Sequence, residues 1–361
     1  MKDRIISLDV FRGFTIIGMI IVNSPGSWSY IYPPLRHAEW DGLTITDLVF
    51  PFFLFIVGVS LVLSYTKKIE KGIPKKELVW KATKRALIIF CLGIILNLIS
   101  YQFKELRLMG VLQRIAVVFY ICTFLFLYIS QKYQLIIGGT LLILYWIVIS
   151  TIPSPGIELD LSVPGKNLTV FFDSFLPGKL YFETWDPEGL LSTFPAIVTT
   201  ISGMIAGYII ISKKVREMKN IWMYSIGFTA MIVGYIWSLF FPFNKSIWSS
   251  SYVLFSSGLA FLTLSVLMWL IDGLKFDKFA RIPIIFGSNA ITVYVIHGIL
   301  YIPLSYISIG KTVGIQSGLM NILTSIGFVN ELASLTWAII YTGLCFIPIL
   351  VLYRYKIFIK V

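Results

Sequence analysis

Histidine is almost missing from this sequence, with His37 and His297 the only two in 361 residues. Cysteine is nearly as scarce, and its three positions, Cys91, Cys122 and Cys345, fall inside apolar segments without the close spacing of a metal site or disulfide framework. No metal and no disulfide is expected, and the cysteines read as small buried hydrophobes. Charge is thin as well: 13% of residues are charged against 57% hydrophobic, and the mean hydropathy is +0.84. One soluble core cannot hide that much apolar surface. Acids are outnumbered 18 to 30 by lysine and arginine, for a net charge of +12. These bases lie in short clusters between apolar runs, which marks the loops of a membrane protein and argues against a nucleic-acid partner. The opening stretch MKDRIISLDVFRGF also lacks an uninterrupted apolar region and a small-residue cleavage site, because Asp9 and Arg12 interrupt it. It is read as a retained helix and not as a signal peptide.

What the sequence has in abundance is apolar run length. A helix needs about 20 mostly apolar residues to cross a bilayer. Ten segments qualify, near residues 5–24, 43–65, 86–101, 108–130, 134–152, 190–212, 221–241, 249–271, 282–301 and 335–353. The expected fold is all-α, a polytopic membrane helix bundle of about ten transmembrane helices. With the N-terminus inside, 21 basic residues face the cytoplasm and seven the outside, with Arg12 and Arg114 left in the membrane. That bias places both termini in the cytoplasm. Two outer loops are long, near 154–189 and 302–334. The first, with PSPGIELDLSVPGK and YFETWDPEGL, suits a cap over an outward-facing cavity. In the second, SGLMNILTSIGFVNELASL reads as an interfacial or re-entrant helix and not as an eleventh span, which would carry the basic C-terminus outside. No internal repeat is evident, so residues 1–361 are taken as a single transmembrane domain.

Ionisable groups inside spans are costly, about 2.5–3.5 kcal/mol at a helix centre, so each is a functional candidate. Asp9 and Arg12 are three residues apart on one face of the first span, which fits either an intrahelical ion pair or a ligand contact. Gln113 and Arg114, in GVLQRIAVVFY, sit in the outer part of the fourth span. Arg114 has no acid nearby in its own helix and needs a partner on another helix, a ligand, or the interface. His37 lies in the first outer loop, and His297, in GSNAITVYVIHG, near the outer end of the ninth span. Their bland readings are a loop histidine and a hydrogen-bonded core residue. Thr44 and Asp47 form a capping-box pattern at the start of the second span, and Asn23 ends the first span before SPGSW.

The ordered motifs SLDVFRG, VNSPGSW, HAEWDGLTITDLVFPFFLFIVG, GVLQRI, WDPEGLLST, NKSIWSSSYV and GSNAITVYVIH resemble the heparan-α-glucosaminide N-acetyltransferase family, the lysosomal transmembrane enzyme and its bacterial relatives. The likeness runs from about Ile5 to the C-terminus. It implies transfer of acetyl from cytosolic acetyl-CoA to the amine of a glucosamine-containing sugar on the far side of the membrane. It places His37 of HAEWDG as the catalytic histidine, with Asn23 and Asp47 beside it. Arg12, Gln113, Arg114, Asp186, Glu188, Asn289 and His297 are the candidate contacts to acetyl-CoA or acceptor. The setting implied is a bacterial inner membrane with the active site towards its outer face; a homodimer is left open. Here SPGS stands where the lysosomal enzyme has a glycine-rich turn. No counterpart of its large luminal domain precedes the first shared helix, a departure that bears on the acceptor more than on the chemistry.

That chemistry is intelligible from the residues. A glucosamine amine is largely protonated near neutrality and must lose a proton before attacking a thioester, a task for a histidine. Asp47 would orient the imidazole and Asn23 would donate to the oxyanion. Alternatively, His37 carries the acetyl group itself. Two rivals remain: an O-acyltransferase of an envelope sugar or lipid, and an ion-coupled transporter, which predicts repeat symmetry that is not seen. No glycine-rich phosphate motif supports a CoA site independently.

Overall fold

A computed structural model describes residues 5–306 and 314–359. Among them are thirteen α-helices and no β-strand. The chain falls into two compact units. The first gathers the chain up to His37, Thr44–Val49, and the chain from Leu270 onward. It holds α1 (Ile6–Asn23), α10 (Arg281–Ser288), α11 (Ala290–Tyr306), α12 (Ile315–Ser325) and α13 (Asn330–Arg354). The second, Ala38–Leu43 with Phe50–Trp269, holds α2 (Val49–Glu70), α3 (Lys75–Ser100), α4 (Val111–Tyr128), α5 (Gln131–Thr151), α6 (Thr169–Asp173), α7 (Thr193–Ile211), α8 (Arg216–Ser238) and α9 (Ser250–Leu267).

Nine helices among the described residues are long and apolar enough to cross a membrane, and α10 with α11 makes a tenth if the bent pair is one span. The all-α polytopic bundle read from the sequence is therefore what forms. The ninth expected span, 282–301, is not continuous: it bends by 84° between α10 and α11. Asn289 sits at the break with φ −133° and ψ 45°. Its side chain donates to the Ile357 carbonyl at 3.1 Å and accepts from the Ile359 N–H at 2.8 Å. A side chain that bonds backbone elsewhere competes with the helical ladder, and Gly287 and Ser288 before it are weak helix formers. In the 302–334 loop, α11 continues to Tyr306 and α12 is a separate helix of 11 residues, too short to span. Residues 307–313 of that loop lie outside the described residues.

Burial follows from composition. In the second unit α7 is the most enclosed span, 67% buried, while α8 is 17% buried. Close approach of α2 and α7 depends on small residues: a Cβ at Gly203 would collide with the Phe55 carbonyl. In the first unit a Cβ at Gly13 of α1 would meet the Pro283 carbonyl of α10. The long 154–189 loop packs into the second unit through Leu168 and Trp185, which join Trp40, Tyr145, Ile149, Leu191, Phe241 and Ile247 in one buried cluster.

Candidate functional site

The strongest constellation lies in the first unit, where the loop after α1 meets the turn before α2. Pro33 and Pro34 favour the short 3-10 turn Pro33–Leu35, and the chain then runs extended through Arg36 into His37. The His37 Nδ1 lies 2.6 Å from Oδ1 of Asp47. The other carboxylate oxygen accepts from the Thr44 N–H at 3.1 Å and has the Thr44 hydroxyl oxygen 3.0 Å away. Asp47 thus performs the backward half of the capping box. The Thr44 hydroxyl takes the Arg36 carbonyl, at 2.6 Å, in place of the forward half. This bond ties the His37 loop to the helix start. The Asp47 side chain is 1% exposed and the His37 side chain 42% exposed. A carboxylate only accepts, so the imidazole proton is held on Nδ1 and Nε2 is the basic nitrogen of the neutral ring.

Asn23, the last residue of α1, is exposed, and its Nδ2 donates back to the Met19 carbonyl at 2.9 Å. The next residue, Ser24, is fully buried and hydrogen-bonded to His297 Nε2 at 2.8 Å. His297 is held from behind by the Tyr341 hydroxyl, which donates to its carbonyl at 2.5 Å. The turn that follows is clamped from α12 and α13. Gln316 donates to the Pro25 and Gly26 carbonyls at 2.8 and 3.0 Å, and Ser334 receives the Gly26 and Ser27 N–H groups. In the N-terminal half of α1, Arg12 Nη1 lies 3.3 Å from Asp9 Oδ1 and donates to the Gly287 carbonyl at 3.4 Å. This is the intrahelical pair the spacing allowed, extended to α10. Asn289 is engaged with the C-terminal segment, as described above.

The remaining sequence candidates gather in the second unit, around the start of α4 and the WDPEG turn. α4 begins at Val111, so Arg114 sits in its first turn, where it is fully buried. Its Nη2 donates to the Pro187 carbonyl at 2.8 Å, to the Gly189 carbonyl at 3.3 Å, and to the Ser192 hydroxyl. The guanidinium carbon stands 5.2 Å from the Trp248 ring. Nε and Nη1 of Arg114 and Nε2 of the buried Gln113 have no hydrogen-bond partner among the described residues. Asp186 and Glu188 converge on Arg107, which donates to both Asp186 oxygens at 2.7 and 2.6 Å and to Glu188 at 2.6 Å. Burial alone would push the Arg107 pKa down, but the hydrogen bonds and charges of Asp186 and Glu188 outweigh it and hold the pKa above its ordinary value. Asp173 completes the group by accepting the Asp186 N–H at 3.0 Å and the Leu190 N–H at 2.9 Å. Burial pushes its pKa up to about 6 despite those two bonds, and the nearby Asp186 charge adds to the rise.

Sequence reasoning did not single out Arg107, Asp173, Ser24, Ser192 or Trp248. Arg107 had one available signal, the pair of acids in WDPEG on the same outer side in need of a base. Ser24 had none, since its partner is 273 residues away. Among the described residues, no three His, Cys, Asp or Glu side chains are grouped so as to hold a metal ion.

A family model described as "Heparan-alpha-glucosaminide N-acetyltransferase, catalytic" matches residues 4–243. The human protein named heparan-alpha-glucosaminide N-acetyltransferase is 31% identical over 423 positions, covering 100% of this chain and 60% of that protein. Its mouse namesake is 28% identical over 366 positions, covering 84% of this chain and 55% of the relative. The chain thus spans between half and two thirds of the length of these curated relatives.

Proposed function

Because the chain belongs to the heparan-alpha-glucosaminide N-acetyltransferase catalytic family, we propose that it moves acetyl from acetyl-CoA to a glucosamine-type amine across the membrane. The observation that carries this reading is the 2.6 Å bond between an exposed imidazole and a buried carboxylate. With Nδ1–H committed to Asp47, His37 Nε2 accepts a proton from the amine as its nitrogen attacks the thioester carbonyl. The C–N bond forms and the C–S bond breaks. The CoA thiolate leaves and takes up the proton that His37 carried. Asp47 stabilises the transient imidazolium, the role of the acid in a hydrolase triad. The exposed Asn23 amide has a second N–H besides the one given to Met19, and that N–H is the donor assigned to the oxyanion. Acetyl-CoA enters from the cytoplasmic side and the sugar from the other.

Acetyl-CoA has to reach the outer side, and the other polar candidates are assigned, each within its own unit, as contacts to it with differing weight. Arg12, in the first half of α1, and His297, midway along α11, remain assigned to it. Gln113 and Arg114, which carry partnerless N–H groups, are assigned donors to its polar arm or to intervening water. Asp186 and Glu188 are assigned to holding Arg107 and the WDPEG turn in place. The test is direct: purified protein is mixed with acetyl-CoA and a panel of amino and neutral sugars, and products are read by mass spectrometry. Acetylated glucosamine is the expected product. Acetylation confined to hydroxyl groups of a sugar without a free amine replaces this reading with O-acyl transfer.

A further inference from the structure

The end of the second unit that carries its basic loops bears an open cavity lined by none of the residues assigned above to acetyl transfer. It measures about 280 Å³ and lies between the α4–α5 junction, the end of α7 and the start of α8. Leu135, Ile205, Ile209 and Ile226 make apolar walls. The polar groups behind them are already fixed. Gln134 is buried, donates to the Leu125 and Ile129 carbonyls at 3.1 and 2.8 Å, and accepts from the Tyr208 hydroxyl at 3.0 Å. At the mouth stand Lys214 and Trp222, with the Lys214 ammonium 5.5 Å from the indole.

Charge around this mouth is predominantly positive. Lys213 and Lys214 are exposed on the α7–α8 loop, Arg216 is exposed at the start of α8, and Lys132 is exposed at the start of α5. α5 and α8 both begin here, with no side-chain cap on Ser130 or Val215, so two positive helix ends add to the lysines. No carboxylate lines the cavity. Glu217, in the first turn of α8, is exposed.

A cationic rim over apolar walls, where three spans end together, selects its occupant. A water-soluble anion would satisfy the rim and leave the walls wet. A zwitterionic lipid would fill the walls and waste the rim. We infer that this cavity binds an anionic glycerophospholipid, its phosphate at Lys214 and the start of α8 and its upper acyl chain between α5, α7 and α8. Trp222 suits the boundary between headgroup and chain, where indoles concentrate. The inference stands on unit-two geometry alone and does not depend on the transfer reaction.

Native mass spectrometry of the full chain, stripped of lipid in detergent and titrated with phosphatidylglycerol or phosphatidylcholine of the same chains, tests it. One phosphatidylglycerol per chain is expected, with at least a fivefold preference over phosphatidylcholine. Lys214→Glu should erase the preference. Ile209→Trp, which fills the cavity without changing charge, should lower retention of phosphatidylglycerol at least fivefold. Lys84→Glu, an exposed base elsewhere on this side, should leave it unchanged. Equal retention of the two lipids, or either cavity variant behaving like Lys84→Glu, overturns the assignment. Displacement of phosphatidylglycerol by free CoA also overturns it, since the rim would then be a nucleotide-phosphate site.

Discussion

The His37 Nδ1 and the Asp47 Oδ1 lie 2.6 Å apart, with the imidazole 42% exposed and the carboxylate 1% exposed. The relationship joins an anchored acid to a base that meets solvent, which is the asymmetry a proton-transfer pair needs. It is held from two sides, because Thr44 binds the second Asp47 oxygen and also the carbonyl of Arg36, the residue before His37.

His37→Ala should lower acetyl transfer at least ~10²-fold, the contribution expected of a positioned acid–base group. Its exposure means that melting temperature and acetyl-CoA binding should scarcely change. Turnover within tenfold of the parent protein would remove His37 from the mechanism.

Asp47→Asn should be nearly as damaging, for a different reason. An amide cannot stabilise the imidazolium. Its NH2 group also faces the Thr44 donors or the Nδ1–H, depending on how it is turned. Turnover should fall about 10²-fold or more, with a lower melting temperature from the lost cap, typically about 1 kcal/mol. Thr44→Val should give a smaller loss of kcat at unchanged KM for acetyl-CoA. An Asp47→Asn enzyme with parental kcat would sink the orienting role.

Arg107→Gln and Arg114→Gln separate structure from ligand binding. Removing Arg107 leaves Asp186 and Glu188 without their cation, a loss of about 3–5 kcal/mol for a buried pair, so yield and melting temperature should drop. Arg114→Gln should also destabilise, because the Pro187 and Gly189 carbonyls lose their donor, and should weaken acetyl-CoA binding in the folded fraction, because the N–H groups assigned to that ligand go with it. A destabilised Arg114→Gln protein that keeps full acetyl-CoA affinity would leave Arg114 a turn clamp alone.

Asp173 carries a pH prediction. Its carboxyl pKa rises from 3.8 to about 6 on folding, so between those values the folded state binds more protons than the unfolded one. The stabilisation is full below about 3.8, declines as pH rises, and is gone above about 6. Asp173→Asn should flatten the fall of melting temperature across that window, while lowering stability throughout because one accepting oxygen is lost. A slope between pH 4 and 6 identical to that of the parent would refute the assignment.

The charge bias predicts an orientation that labelling can read. In a Cys91→Ser background, which removes the exposed native thiol, a cysteine at Glu158 should react with an impermeant thiol reagent in intact cells. One at Lys71 should not. The reverse pattern would invert the topology and with it the direction of transfer.

Hydropathy summed along the chain was sufficient for the spans, since the cost of placing a residue in lipid is nearly local and additive. That is why the nine continuous helices could be located before any contact was known. The His37–Asp47 pairing was also within reach, because the residues are ten apart and the Thr44 cap pattern flags one of them. The break at Asn289 was not, since a run of apolar residues reads as one span whether or not an amide in it bonds residues 357 and 359. Arg107 is a further case: its partners come from 79 and 81 residues away, and only folding decides that the acids of WDPEG meet this base. Ser24 and His297, 273 residues apart, are joined for the same reason. A hydrogen bond depends on direction and a few tenths of an ångström, and those are properties of packed helices that no local property of the sequence encodes.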